Sequence, residues 1–127
     1  MRILIVSQDM AFAPSLKEVL RSGGDKVDLV SPGMGAVNLG LCGEYGLAFL
    51  DDFLAETPAL DILERWRRED VALPVIVLAS DDNWRFVSAS LDMGADQVIS
   101  RPFELSYCNA MLRATLRRSC WTADAVA

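Results

Sequence analysis

The sequence predicts an α/β fold of five βα units, in which a doubly wound, five-stranded parallel sheet lies between helices. The first observation behind this prediction is that short apolar runs alternate with segments of helical period, five times along the chain. The second is that the apolar runs are continuous, which indicates strands that are buried on both faces. At 127 residues the chain fits one such domain, and no second domain is expected.

Each element is placed by its residue pattern. The strands are the apolar runs, expected at 3–6, 27–30, 47–50, 75–78 and 98–99. The helices are the amphipathic segments that follow each strand, expected at about 13–22, 34–42, 58–68, 83–92 and 104–118. Because helices separate successive strands, the strands are expected to pair in parallel.

Proline, hydroxyl and glycine residues mark the helix ends. Thr57 followed by Pro58 is typical of a helix start, with a hydroxyl N-cap before proline at the first helical position. Pro14 is expected in the first turn of the first helix, and the polar run 81–83 at the N-cap of the fourth. The glycines just past helix ends, where a positive φ is often required, are Gly23, Gly24, Gly43 and Gly94.

The charge and composition of the chain exclude several classes of function. The net charge of −6 and the pI near 4.5 oppose binding to nucleic acid, so protein partners are expected instead. The sequence has no histidine, which excludes Ser-His-Asp and Cys-His catalysis. No apolar run is long enough to span a membrane and no secretory signal is present. A cytoplasmic location without membrane contact is therefore expected.

The three cysteines form an odd set without the spacing of a metal site. They are expected to be reduced thiols, as is usual in the cytoplasm. Cys42 and Cys108 are expected to fill the core, and Cys120 lies near the C-terminus.

Polar residues are predicted to gather at one edge of the sheet. In doubly wound sheets, ligands and reactive groups lie beyond the carboxyl ends of the strands. No Gly-rich phosphate loop follows the first strand, so no nucleotide or flavin cofactor is expected. The residues expected at this edge are Ser7, Gln8 and Asp9 after the first strand, Asp51, Asp52 and Phe53 after the third, Ala79 and Ser80 after the fourth, and Arg101 after the fifth.

Several segments resemble the receiver domain of two-component response regulators, especially the OmpR/PhoB class. The stretches "MRILIVSQD", "LPVIVLASDD" and "LDMGADQVISRPF" carry the resemblance, which covers residues 1–119 and leaves 120–127 as a short C-terminal tail. Within the class, "AVNLGLCGEYGLAFLD" is similar to the CtrA type of cell-cycle regulator. The resemblance implies a flavodoxin-like or CheY-like fold with strand order 2-1-3-4-5.

The resemblance also implies a phosphoacceptor at Asp51, within a pocket that is altered. Ser7 and Gln8 stand where the family has an acidic pair, and the next acid, Asp9, comes one residue late. The pocket is therefore expected to be degenerate. Its other departures from the family are Ala79 at the switch hydroxyl, Arg101 at the lysine and Val98 at the aromatic residue that moves on activation.

Replacement of the acidic pair implies weak or absent Mg²⁺ binding, because Mg²⁺ gives up its water reluctantly for neutral oxygens. No metal is therefore expected; if one binds, its ligands would be Asp51, Gln8 and Phe53. The alternative for the surviving acid is a partly buried ion pair between Asp51 and Arg101 without chemistry. Asp52 is expected to be solvated or to face a helix.

The resemblance places a dimer interface on the fourth helix, fifth strand and fifth helix, where charged family positions have changed. Tyr107 and Met111, four residues apart on one helix, would form an exposed apolar spot, and Trp84 is either partly exposed or folded over the sheet edge. If the fifth helix is rotated, Tyr107 and Met111 are instead ordinary core. Leu105, Cys108, Leu112 and Leu116 already supply a buried stripe, which favours an interface. The predicted interface residues are Val87, Gln97, Tyr107 and Met111.

Three functions follow from these observations. The first is a pseudo-receiver that binds a signalling protein, a histidine kinase or a second copy of itself, without phosphate or Mg²⁺. The second is a receiver that accepts phosphate on Asp51 with Mg²⁺, as the N-terminal part of a DNA-binding transcriptional regulator. The third, a conventional enzyme, ranks last because no nucleophile and base are paired, and no enzymatic activity is expected.

Overall fold

The computed structural model describes residues 1–52, 57–80 and 83–126, with side chains described as far as Arg118. The strands are β1 (Arg2–Val6), β2 (Lys26–Val30), β3 (Leu47–Asp51), β4 (Val75–Ala79) and β5 (Gln97–Ser100). The helices are α1 (Ala13–Ser22), α2 (Met34–Leu41), α3 (Ala59–Arg68), α4 (Trp84–Met93) and α5 (Leu105–Val126). All ten predicted elements are present, and only α5 runs well past its predicted end.

The five strands form one parallel sheet in the order β2-β1-β3-β4-β5. This confirms the predicted fold class and strand order. The register pairs Val6 with both Val30 and Leu50, and it pairs Asp51 with Leu78. The carboxyl ends of neighbouring strands are therefore level with one another, at one edge of the sheet.

A core cluster lies on each face of the sheet. Side chains alternate along a strand, so Leu4 and Val6 face one helical layer while Ile3 and Ile5 face the other. The first face packs against α2 and α3, where Trp66 is fully buried, and the second packs against α1 and α5. This two-sided burial explains why the strands are continuous apolar runs in the sequence.

Most of the predicted helix-end signals are confirmed. Pro14 lies in the first turn of α1, and the side chain of Asn83 caps α4 by accepting the amide of Arg85 at 3.0 Å. The other two residues of that predicted cap, 81 and 82, lie outside the described residues. Gly24, Gly43 and Gly94 have positive φ, whereas Gly23 has a φ of −82°. No helix in the described part of the chain is long and apolar enough to cross a membrane.

The predicted start of α3 is wrong. Pro58 occupies the N-cap position and no side-chain cap bond is formed there, so Thr57 does not cap the helix. The amide of Ala59 instead donates to Oδ1 of Asp52 at 3.2 Å. The carboxylate of Asp52, just after β3, lies near the N-terminus of α3 and therefore takes the role that the hydroxyl of Thr57 was expected to have.

The cysteines behave differently from one another. Cys108 is buried as predicted, and burial raises the pKa of its thiol to about 11. The expectation that Cys42 fills the core is wrong, because this residue is the exposed C-cap of α2 and its Sγ donates to the carbonyl oxygen of Leu39. The side chain of Cys120 lies outside the described residues.

Gly40 on α2 lies close to the Trp66 ring. A Cβ atom at Gly40 would lie 2.1 Å from Cε2 of Trp66, whereas one at Gly35, on the same helix, would meet no atom within 4 Å. We expect Gly40→Ala to lower the free energy of unfolding by about 1–3 kcal/mol through overpacking. The control Gly35→Ala should raise it by about 0.5–1 kcal/mol, because alanine is the better helix former. Urea denaturation measures both changes, and equal losses in the two variants would contradict this packing.

Candidate functional site

Three strand ends bring a carboxylate, a hydroxyl and a guanidinium together. Asp51 is the last residue of β3 and is 1% exposed. Ser7 follows β1 and is buried, and Arg101 follows β5. Because the sheet is parallel, these three residues meet at the edge that the sequence predicts.

Arg101 and Asp51 form a two-point ion pair. Nη1 of Arg101 donates to Oδ1 of Asp51 at 2.9 Å, and Nη2 donates to Oδ2 at 2.9 Å. The side chain of Asp51 has no exposed surface and that of Arg101 is 18% exposed, so the pair is largely removed from water. Charge-assisted bonds of this bidentate kind are about twice as strong as bonds between neutral groups. The ion pair that the sequence allowed as an alternative is thus present.

Ser7 and Asp9 complete the site. Oγ of Ser7 donates to Oδ2 of Asp51 at 2.8 Å and accepts the backbone amide of Asp9 at 3.0 Å. Oδ2 of Asp9 accepts from Nη2 of Arg101 at 2.8 Å, while its Oδ1 accepts two following backbone amides at 3.1 and 3.2 Å. Asp9 therefore closes the turn before α1 and also gives Arg101 a second carboxylate, which sequence reasoning missed.

The charges of the site stabilise one another. Burial acts to raise the pKa of Asp9, but hydrogen bonds from Arg101 and two backbone amides outweigh it, and this pKa lies below its ordinary value. Burial acts to lower the pKa of Arg101, but its hydrogen bonds to Asp51 and Asp9 more than offset this, and the pKa is raised. The guanidinium of Arg101 therefore donates hydrogen bonds to two carboxylates, those of Asp51 and Asp9.

Two aromatic rings support the guanidinium. Cζ of Arg101 lies 5.1 Å from the centroid of the Phe103 ring, which is within cation–π range. Phe103 meets Phe12 edge to face, with ring centroids 4.7 Å apart. Sequence reasoning missed both rings. The sequence contains a signal that could have predicted them: an aromatic residue lies two positions after Arg101 and another just before α1. Both are on loops that the parallel sheet brings to the same edge.

Asp52 caps a helix and takes no part in the ion pair. Its Oδ1 accepts the amide of Ala59, and its own amide donates to the carbonyl oxygen of Leu78 at 3.0 Å. Burial raises the pKa of Asp52; the bond from Ala59 opposes this shift, and the charge of Asp51 adds to it. Of the two positions expected for this residue, the helix-facing one is correct.

The other predicted pocket residues that the structure describes take no part in these hydrogen bonds. Gln8 is half-buried, Ala79 is buried and Ser80 is exposed. Val98 is half-buried and packs against the core cluster on the α2 and α3 face. Phe53 lies outside the described residues.

The predicted interface residues are exposed to different degrees. Tyr107 is 52% exposed, whereas Val87 and Gln97 are half-buried. The expected exposure of Met111 is wrong, because this side chain is half-buried and packs against the core cluster on the α1 and α5 face. Four residues beyond Tyr107, the helix has turned by about 40°. This turn moves Met111 towards the predicted buried stripe, whose members all contact that cluster: Leu105, Cys108, Leu112 and Leu116.

We call the face formed by α4, β5 and α5 the α4-β5-α5 surface. Further apolar side chains of α4 are exposed on it. Trp84, whose exposure the sequence left open, is 69% exposed, and Leu91, two helical turns along α4, is 47% exposed. An open pocket of about 470 Å³ lies beside β5 and the first turn of α5. Its lining residues are Val98, Ile99, Ser100, Pro102, Phe103, Glu104 and Tyr107. The surface therefore combines exposed aromatic side chains with a recess.

Known proteins resemble this chain in sequence and in fold. The family model described as the response regulator receiver domain matches residues 3–113. The chain is 35% identical over 119 residues to the response regulator protein PmrA of Pseudomonas aeruginosa, covering 94% of this chain and 54% of that protein. It is 31% identical over 129 residues to the virulence transcriptional regulatory protein PhoP of Salmonella typhimurium, covering 99% and 56%. The chain thus spans about half the length of these curated relatives.

Solved structures show the same architecture. A crystal structure of a two-component response regulator from Clostridium difficile matches with a TM-score of 0.84 at 24% identity, covering 94% of this chain and 98% of that chain. At this level of identity the match shows a common fold.

The substitution Arg101→Gln would leave the buried carboxylate of Asp51 without its cation. Breaking one side of a buried pair is strongly destabilising, so we expect the free energy of unfolding to fall by about 3–5 kcal/mol. The matched control is Arg68→Gln on α3, where Arg68 and its partner Glu64 are both exposed and 3.9 Å apart. The control should change stability by about 1 kcal/mol at most. Urea denaturation at pH 7 compares the two, and equal shifts in midpoint would contradict a buried pair that matters for stability.

Proposed function

The chain belongs to the receiver domain family of two-component response regulators, in the OmpR/PhoB-like class, and we propose that it acts as a pseudo-receiver. In this role it is a protein-interaction module that needs neither phosphorylation nor Mg²⁺. The observation that carries the proposal is the bidentate pair of Arg101 and Asp51. A carboxylate that accepts a phosphoryl group must offer an oxygen to the phosphorus atom, whereas both oxygens of Asp51 accept hydrogens of the guanidinium.

The residues around Asp51 do not fit a Mg²⁺ ion. Mg²⁺ in phosphoryl-transfer sites takes octahedral oxygen ligands that include one or two carboxylates. Here the carboxylates of Asp51 and Asp9 are both engaged by Arg101, whose positive charge would repel a second cation. No group of three or more acidic, cysteine or histidine side chains suited to a metal lies within the described part of the chain.

Two further residues support a module that does not respond to phosphate. Ala79, at the end of β4, has no hydroxyl to bond a phosphoryl group, and Val98, on β5, has no ring to move on activation. The chain also has no histidine to serve as a general base. We therefore propose no enzymatic activity and no cofactor, and we place the protein in the cytoplasm, where response regulators usually act.

We assign the interaction to the α4-β5-α5 surface, with a second copy of the chain as the favoured partner. Trp84 and Tyr107 are both more than half exposed there, and Leu91 is nearly so. Aromatic residues are enriched at the centres of protein interfaces. A twofold dimer would bring the same patch of both copies together, so that the aromatic side chains of one copy could enter the recess beside Val98 of the other. Instead of a second copy, the partner at this surface could be another signalling protein, such as a histidine kinase.

The second candidate is a receiver that is phosphorylated on Asp51, within the input half of a transcriptional regulator. It is favoured by the acid kept at the phosphoacceptor position and by curated relatives about twice as long, two of which are named transcriptional regulatory proteins. In this case a DNA-binding half would follow the receiver, and Arg101 would have to leave Asp51 before Mg²⁺ could bind.

Small phosphodonors separate the two candidates. We expect no change in intact mass when the protein is incubated with acetyl phosphate or phosphoramidate and Mg²⁺, because both oxygens of Asp51 are engaged by Arg101. Tryptophan fluorescence should likewise be unchanged by MgCl₂. A gain of one phosphoryl group that disappears in Asp51→Asn would establish the second candidate instead.

A charge placed on the α4-β5-α5 surface tests the dimer. We expect Tyr107→Glu and Trp84→Glu to weaken self-association by about tenfold or more, because each would place an unpaired carboxylate at the interface. The matched control is Ser106→Glu, which adds the same charge at an exposed neighbouring position on α5. Sedimentation velocity over a concentration series measures the effect. A strictly monomeric wild type, or an equal effect of the control, would contradict a dimer through this surface.

A further inference from the structure

A second charged feature lies at the opposite edge of the sheet from Asp51. An open groove of about 730 Å³ runs between the end of α1 and the start of β2. Although the chain has a net charge of −6, four of the seven residues that line this groove are cationic. The lining residues are Arg2, Lys17, Arg21, Asp25, Lys26, Val27 and Asp28.

The two carboxylates of the groove already have cationic partners. Asp25 pairs with Arg113 at 2.8 Å and with the ammonium group of Met1 at 3.6 Å, and its side chain is only 7% exposed. Asp28 pairs with Arg2 at 3.0 Å. The negative charge of these acids is compensated within the protein, and it does little to oppose an anion that enters the groove.

Three cations of the groove remain available to a ligand. Lys17 and Lys26 form no ion pair within 4.0 Å with any acid in the described part of the chain, although the charge of Lys17 helps to lower the pKa of Asp28. Among the described residues, Arg21 pairs only with Glu18, at 3.7 Å and with both side chains more than half exposed, and such a pair contributes little to stability. Lys17 and Arg21 are four residues apart on α1, so they lie on the same side of the helix. Their positive charges repel one another, and an anion that lies between them would offset this repulsion.

We propose that this groove binds a small anion that carries two or more phosphate groups. Guanidinium and ammonium groups are the side chains that proteins use to bind phosphate. A chain of phosphates can contact several of these cations at once, which a single phosphate cannot. Val27 is the one apolar residue among those described in the lining and is only 8% exposed, so the groove has no apolar anchor for a peptide side chain.

This site is independent of the pseudo-receiver proposal. It lies at the amino ends of β1 and β2, whereas Asp51 lies at the carboxyl end of β3. Failure of either proposal therefore leaves the other intact.

Inorganic tripolyphosphate is the probe that tests the groove. At low ionic strength we expect it to bind the wild type by calorimetry and to raise the melting temperature, because it relieves repulsion between the cations. The double variant Lys17→Gln, Lys26→Gln should bind about tenfold or more weakly, since each ammonium supplies a charge-assisted bond. The control Arg68→Gln, Arg85→Gln removes two exposed cations from α3 and α4 and should bind like the wild type.

Amide chemical shifts show where the probe binds and whether the variants are folded. We expect perturbations confined to the end of α1 and the start of β2, and weaker ones with orthophosphate. No binding to the wild type, or an equal loss in the control, would overturn the proposal. Tighter binding of poly-glutamate than of tripolyphosphate would also overturn it, because that result would identify an acidic peptide as the ligand.

Discussion

The structure depends on one guanidinium that satisfies a fully buried carboxylate. Asp51 ends the central strand of the sheet and its side chain has no exposed surface, so its charge needs a partner within the protein. Arg101 offers two planar donors that match the two carboxylate oxygens, whereas a lysine would offer a single compact charge. The proposed pseudo-receiver role depends on this two-point fit, in which both oxygens of Asp51 accept hydrogen bonds from Arg101.

The same guanidinium joins parts of the chain that are distant in sequence. It binds Asp9 in the turn before α1, Asp51 on β3 and the ring of Phe103 in the loop before α5. A switch needs two arrangements of comparable free energy, and a ligand that favours one of them. In the proposed pseudo-receiver, the ion pair of Arg101 with Asp51 on β3 and Asp9 before α1 favours a single arrangement. A module held in one arrangement presents a constant surface to its partners, which agrees with the proposed role of the α4-β5-α5 surface.

The fold could be predicted from the sequence because each strand is a continuous apolar run between helices that end at glycine, proline or capping residues. The convergence of Asp51 and Arg101 could also be predicted, since the carboxyl ends of parallel strands meet at one edge. The second contact of Asp9 with Arg101, the ring of Phe103 and the half-burial of Met111 could not. These features depend on loop conformation, side-chain rotamers and the rotation of α5 on the sheet, which residue spacing does not determine.

The most direct test is a crystal structure determined with saturating Mg²⁺ and beryllium fluoride, which mimics a phosphoryl group on a carboxylate. We expect both Nη atoms of Arg101 to remain about 2.9 Å from the oxygens of Asp51, with no analogue bound there. A beryllium fluoride adduct on Asp51, with Mg²⁺ beside it and Arg101 displaced, would contradict the proposed pseudo-receiver.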